Sequence, residues 1–161
     1  TSRLVGSEMC IRDSYYLVKN ILFVCTGNSA RSIIAESLVN NRYNDKFKAY
    51  SAGSNPSGEI NKDIKHFLND KGFNLQNYSS KNFNVFVNGE IKIDHVITVC
   101  NNANNEVCPI WPKENQIIHW DIEDPVTKLN DASEDKKFKI ITDTFNNIDK
   151  RIKNWILNEK Y

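Results

Sequence analysis

Apolar positions fall into two kinds of run along this chain. Ile21–Val24 and His95–Cys100 are short, nearly continuous apolar stretches rich in strand formers, and Gln116–Trp120 is a third. Runs of that length and makeup suit strands covered on both faces, as in a parallel sheet. Lys48–Ser51, closed by Gly53, is a weaker strand candidate. Between them the period changes. After the polar turn Thr26-Gly27-Asn28-Ser29, Ile34 with Leu38 and Ala35 with Val39 recur four apart, predicting a helix that fades near Asn40 and Asn41. Glu59–Lys71 predicts another, with Ile60, Ile64, Phe67 and Leu68 on one face and Gly72 at the C-terminal cap position.

The last helix has the longest stripe. Phe138, Ile141, Phe145, Ile148, Ile152 and Trp155 are spaced 3, 4, 3, 4, 3, and Ser133 stands as N-cap before Glu134 and Asp135. Such a stripe packs onto the chain's own sheet or receives a partner; packing is the reading adopted. Between residues 82 and 93, Val85–Val87, Asn88-Gly89 and Glu90–Ile93 give a hairpin signal, with a loop or short helix as the alternative. Thr1–Ser14 shows no period and reads like translated sequencing-adapter sequence. Residues 1–18 are therefore set apart as an artefactual or disordered tail, Cys10 with them, and 19–161 are taken as a single domain.

Strands alternating with helices imply βαβ units. The expected fold is α/β: an open, mainly parallel four-stranded sheet with helices on both faces. Ligands of such sheets bind outside the carboxyl ends of the strands. Cys25 ends the first strand and Cys100 the third, so both lie on that edge.

Composition narrows the function classes. Lys+Arg 21 against Asp+Glu 20 gives a net charge of +1, without the basic excess of a nucleic-acid footprint. No apolar run approaches the ~20 residues of a membrane span, and no secretory signal is visible. The expected compartment is the cytoplasm, where cysteines serve chemistry more than structural disulfides.

Cys25-Thr26-Gly27-Asn28-Ser29-Ala30-Arg31, followed by Ser32, is the segment that carries chemistry. Five residues between Cys and Arg let the backbone curl its N–H groups around one tetrahedral oxyanion. The helix that follows points its positive end at the same place. Arg31 supplies a planar fork for two oxygens, and Ser32 can donate to the sulfur. These fields favour the Cys25 thiolate, the nucleophilic form. Gly27 and Asn28 suit the positive φ angles of a tight anion nest.

Residues 19–159 resemble the low-molecular-weight protein tyrosine phosphatases, and within that fold the arsenate reductases. The resemblance rests on Val24–Ser37 (VCTGNSARSIIAES), Ser51–Gly53 (SAG), Val96–Pro109 (VITVCNNANNEVCP) and His119–Pro125 (HWDIEDP). It implies that Cys25 attacks arsenate, that Thr26, Gly27, Asn28, Ser29, Ala30 and Arg31 bind its oxygens, and that Asp124 is the general acid. It further implies that Cys100 attacks the arsenic-bearing Cys25, that Cys108 then takes over the disulfide, and that thioredoxin or glutathione with glutaredoxin reduces the pair. No cofactor belongs to this scheme. Some relatives hold potassium with residues matching Asn28, Glu36, Ser51 and an acid near position 81; here Lys81 stands there, and its ammonium could replace the cation. Many relatives also carry Cys where this chain has Ala30.

The residues support the relay independently in one respect. Reducing As(V) to As(III) takes two electrons, and two thiols joining as a disulfide supply two. The alternatives are a phosphatase acting through phosphocysteine, or a non-catalytic oxyanion-binding regulatory module. A phosphatase of this fold usually has Pro where Ile33 stands and tyrosines where Val126 and Thr127 stand. Zinc ligation by Cys100 and Cys108, and inert burial of both, remain rival readings. His119 is read as a packed residue or a functional one; His66 and His95 are read as structural.

Overall fold

The computed structural model describes residues 18–101, 111–112 and 116–158. Four strands form one sheet: β1 (Lys19–Cys25), β2 (Phe47–Gly53), β3 (His95–Cys100) and β4 (Gln116–Asp121), in the order β2-β1-β3-β4. Every pairing is parallel. The helices are α1 (Arg31–Arg42), α2 (Lys62–Asp70), α3 (Asn84–Val87), α4 (Val126–Leu129) and α5 (Glu134–Asn158).

Alternation along the strands sorts the side chains into two cores. Ile21, Phe23 and Cys25 of β1, Val99 of β3 and Trp120 of β4 face α1, α2 and α5. Leu22, Val24 and Val96 face the other way, under Phe86 of α3, Ile93 and Trp111. Helices thus lie on both faces, unequally: three long ones on the first and one turn on the second. Ile21, Leu22 and Phe23 are fully buried, each worth about 1.5–3 kcal/mol against exposure.

The predicted helix ends are mostly where capping chemistry puts them. α2 begins later than Glu59, because the Asn61 side chain accepts from the Asp63 and Ile64 N–H groups. Its end is a Schellman turn: Gly72 has φ 85°, its N–H donates to Asn69, and the Phe73 N–H donates to Leu68. At α5 the Ser133 hydroxyl accepts from the Lys136 N–H at 3.5 Å. Ile141, Phe145, Ile148 and Ile152 of that helix are buried as predicted.

Three expectations need correction. Phe138 is not in the core: it is 64% exposed and meets only the edge of it, its ring 5.9 Å from Phe67. The stripe is continuous in sequence, but its first residue, in the opening turn of α5, is left exposed. The hairpin between 82 and 93 is absent. Residues Asn84–Val87 form a helical turn that buries Phe86, and Gly89 packs so closely that a Cβ would lie 2.6 Å from the Val85 carbonyl oxygen. Burial of one aromatic outweighs a two-residue turn signal. Finally, Gly27 does not take a positive φ; Asn28 alone in that loop does, at 47°. The tail assigned to residues 1–18 lies, save residue 18, outside the described residues. Among the described residues no helix is long and apolar enough to cross a membrane.

Candidate active site

β1 ends in Cys25 and the chain turns directly into α1, so the loop between them sits on the carboxyl edge of the sheet. Two donors meet the sulfur. The Asn28 N–H lies 3.1 Å from Cys25 Sγ, and Ser32 Oγ lies 2.9 Å from it. The Asn28 side-chain amide donates to Ser32 Oγ at 2.7 Å, which leaves the hydroxyl proton free to point at sulfur. Hydrogen bonds to sulfur favour its anionic form. The left-handed conformation of Asn28 is what aims its N–H inward.

The start of α1 is left open. Ala30 stands at the N-cap and supplies no side-chain acceptor, so the first N–H groups of the helix face the loop. Arg31 is 3% exposed; its Nη1 donates to the Ile122 carbonyl at 3.0 Å, and its Nη2 lies 3.8 Å from Asp124 Oδ2. Cys25, Gly27, Asn28, Ser29, Ala30, Arg31 and Asp124 line a recess of about 30 Å³. That is far below the several hundred Å³ of ordinary small-molecule pockets, and suits one small anion. Thr26 does not line it; the Thr26 carbonyl instead accepts from Asn55 at 2.9 Å.

Of three neighbouring acids, one faces the recess. Asp124 does, with its other oxygen accepting from the Val126 N–H at 3.0 Å. Glu123 is engaged by Lys128 at 2.9 Å, and Asp121 is a strand residue paired with Cys100.

Three residues hold the loop in ways the sequence did not show: Ser80 was not singled out there, and Gly53 and Lys81 were singled out for other reasons. A Cβ on Gly53 would lie 2.4 Å from the Thr26 carbonyl oxygen and 3.1 Å from Asn28. Only glycine lets β2 back so closely against the loop. Ser80 donates to the Gly27 carbonyl at 3.0 Å, and the Lys81 N–H donates to Asn28 Oδ1 at 2.9 Å. The one available signal was the small-residue run Ser51-Ala52-Gly53 at a strand end.

Behind the loop lies a buried carboxyl. Ser51 donates to Glu36 at 2.6 Å. Burial pushes the Glu36 carboxyl above its ordinary 4.5, against the Ser51 hydrogen bond and the charges of Lys81 and Lys48. Burial also lowers the Lys81 ammonium, with Glu36 opposing. Asn28 is thus joined to the Lys81 backbone and Glu36 to Ser51, while the Lys81 ammonium, within electrostatic reach of Glu36, donates to the Ser79 carbonyl oxygen at 2.8 Å.

Residues 20–160 match the family described as low molecular weight phosphotyrosine protein phosphatase. The chain belongs to that family. Its likeness extends to named relatives: an arsenate reductase of Bacillus cereus is 34% identical over 112 residues, 68% of this chain and 79% of that protein. Among solved structures, an arsenate reductase from Archaeoglobus fulgidus superposes with a TM-score of 0.61 at 25% identity, covering 82% of this chain and 98% of that one. A thioredoxin-dependent arsenate reductase from Corynebacterium glutamicum gives 0.58 at 26% identity, covering 88% and 64%.

In this phosphatase-family fold two cysteines fall among the described residues, Cys25 in the loop and Cys100 at the end of β3. Cys25 is a free, buried thiol. Cys100 is disulfide-bonded. Cys10 and Cys108 lie outside the described residues, so the place expected for Cys108 is not described. Val99 shares the first core with Cys25, so Cys100, next along β3, turns to the opposite face. There it lies 3.9 Å from His119 Nδ1. His66 pairs with Asp70 on the surface of α2, and His95 is buried edge-on to Trp155.

Proposed function

We propose that the protein reduces arsenate to arsenite in the cytoplasm, with Cys25 as nucleophile and electrons from an external thiol. The observation that carries this is the pairing of a small, donor-lined recess at Cys25 with a second cysteine, disulfide-bonded, at the end of the neighbouring parallel strand. A phosphatase needs the first feature and not the second. In this reading the N–H groups of residues 27–31 and the Arg31 fork hold arsenate, Asp124 protonates the departing hydroxide, and arsenic becomes bonded to Cys25.

Cys100 then attacks Cys25. The Cys25–arsenic bond breaks, its electron pair passes to arsenic, and arsenite leaves a Cys25–Cys100 disulfide. Cys108 attacks Cys100, freeing Cys25. The disulfide found at Cys100 beside a free Cys25 supports this order, because it is the arrangement expected once the oxidation has moved outward. In this disulfide-bonded arrangement Cys100 is on the face opposite Cys25, so the end of β3 must take another register for the two sulfurs to touch; disulfide Cα atoms seldom stand more than about 7 Å apart. Similarity to a thioredoxin-dependent relative favours thioredoxin as reductant, with glutathione and glutaredoxin as the alternative.

The test is turnover by purified protein with a thioredoxin system, set against p-nitrophenyl phosphate hydrolysis. Thiol-dependent arsenite production that Cys25→Ser abolishes is expected. Ester hydrolysis without arsenite production would install the phosphatase reading instead.

A further inference from the structure

Residues 54–61 leave the end of β2 and run beside the loop between β1 and α1 as a strap. The Ser54 N–H donates to the Cys25 carbonyl at 3.1 Å and the Asn55 N–H to that of Thr26 at 2.9 Å. The Ser57 and Asn61 N–H groups donate to the carbonyls of Gly27 and Ser29, each at 3.0 Å. None of these strap residues lines the recess, so these carbonyls are drawn away from it. In a trans peptide the N–H points opposite to the C=O of the same plane, and a carbonyl held outward turns the next N–H inward. The plane between Gly27 and Asn28 bears on the nucleophile directly, because its N–H is the one 3.1 Å from Cys25 Sγ.

That plane has a second holder. Ser80 Oγ lies 3.0 Å from the Gly27 carbonyl oxygen and 3.2 Å from the Gly58 nitrogen. The Gly58 N–H donates, so the hydroxyl accepts there and sends its own proton to Gly27. The next residue holds the other side of the plane: the Lys81 N–H donates to Asn28 Oδ1 at 2.9 Å. Asn28 stands at φ 47°, a region that residues other than glycine seldom occupy and that persists where the surroundings fix it.

We propose that Ser80 is a positioning residue for the nucleophile: its hydroxyl holds the Gly27–Asn28 peptide with its N–H toward Cys25 and keeps the plane from turning over. This rests on the reading of Cys25 as nucleophile at an anion recess, and not on the later exchange between sulfurs. Turned over, the plane would set the Gly27 carbonyl oxygen where the N–H now stands, an acceptor facing both the sulfur and the anion. Without the hydroxyl, the inward N–H keeps only the Ser57 bond to its carbonyl in place of two. A carbonyl that accepts twice also polarises its own peptide, which strengthens the N–H bond to sulfur. Ser80 does not line the recess, so it acts through this peptide.

Two measurements on the fully reduced full chain test the assignment. One is binding of inorganic phosphate by calorimetry; the other is the rate of Cys25 alkylation by iodoacetamide, read on its peptide by mass spectrometry. Ser80→Ala is expected to weaken the first and slow the second by about three- to tenfold, the reach of one hydrogen bond. Ser80→Thr keeps the hydroxyl and should bring both within about twofold of wild type. Hydrogen exchange at the Asn28 amide should quicken in Ser80→Ala while amides of the sheet keep their protection. A lowered Tm in Ser80→Ala with phosphate binding and alkylation unchanged would mark Ser80 as structural only and overturn the proposal. So would a Ser80→Thr protein as impaired as Ser80→Ala. If wild-type protein binds no phosphate, the recess reading itself falls, and the role of Ser80 with it; wild-type binding that Ser80→Ala retains in full removes Ser80 alone.

Discussion

The Arg31 guanidinium donates to the carbonyl oxygen of Ile122 at 3.0 Å, across 91 residues of chain. One side chain thereby ties the oxyanion loop to the segment that carries Asp124, two residues further on. The nitrogen not used in that bond lies 3.8 Å from the Asp124 carboxylate. Arg31 thus also sets where Asp124 stands.

Arg31→Lys should therefore harm more than charge. A lysine cannot hold Ile122 and the anion together, since it lacks the planar fork. Hydrogen bonds to charged groups are worth about 1.5–3 kcal/mol, so kcat/KM for arsenate should fall roughly 10- to 100-fold. Steady-state kinetics check this; unchanged kcat and KM would contradict it.

Ser32→Ala removes the hydroxyl 2.9 Å from the Cys25 sulfur. The sulfur loses one of its two hydrogen-bond partners, and alkylation of Cys25 by iodoacetamide should slow several-fold. Equal alkylation rates in the two proteins would show that the hydroxyl does not act on sulfur.

Gly53→Ala should distort the loop from behind, because its Cβ would meet the Thr26 carbonyl oxygen at 2.4 Å. Overpacking of this kind costs about 1–3 kcal/mol. A lowered Tm together with weakened phosphate binding is the expected pair of results. A wild-type Tm would mean that β2 and the loop can separate freely.

Glu36 makes stability depend on pH in a defined direction. Between its ordinary value of 4.5 and its raised folded value, the native state keeps a proton that the unfolded chain has released. Stability from this group therefore falls as pH rises through that window. Glu36→Gln should remove that part of the slope in denaturant unfolding measured from pH 4.5 upward. Identical slopes would show that Glu36 titrates alike in both states.

The loop was legible because its contacts are local: Cys25, Asn28 and Ser32, which meet at the sulfur, lie within eight residues of one another. The strands were legible as well, since burial on both faces leaves continuous apolar runs such as His95–Cys100. What supports the loop was not. Gly53 backs onto Thr26 from 27 residues away, and the Ser80 hydroxyl and Lys81 N–H reach the loop from 53 residues away, contacts that no local pattern marks. Phe138 misled for the opposite reason: it fits the helical period, but period cannot say which turn of a helix is covered. The face on which Cys100 sits follows only from strand register, which the sequence leaves open.

The sulfur-to-sulfur step is the centre of the account, and disulfide mapping tests it most directly. Fully reduced Cys108→Ser protein is given one equivalent of arsenate, alkylated, digested and examined by mass spectrometry. Trapping of a Cys25–Cys100 disulfide, with one arsenite released per disulfide formed, is the predicted result. Arsenite released while Cys25 and Cys100 are both recovered as alkylated thiols would contradict it.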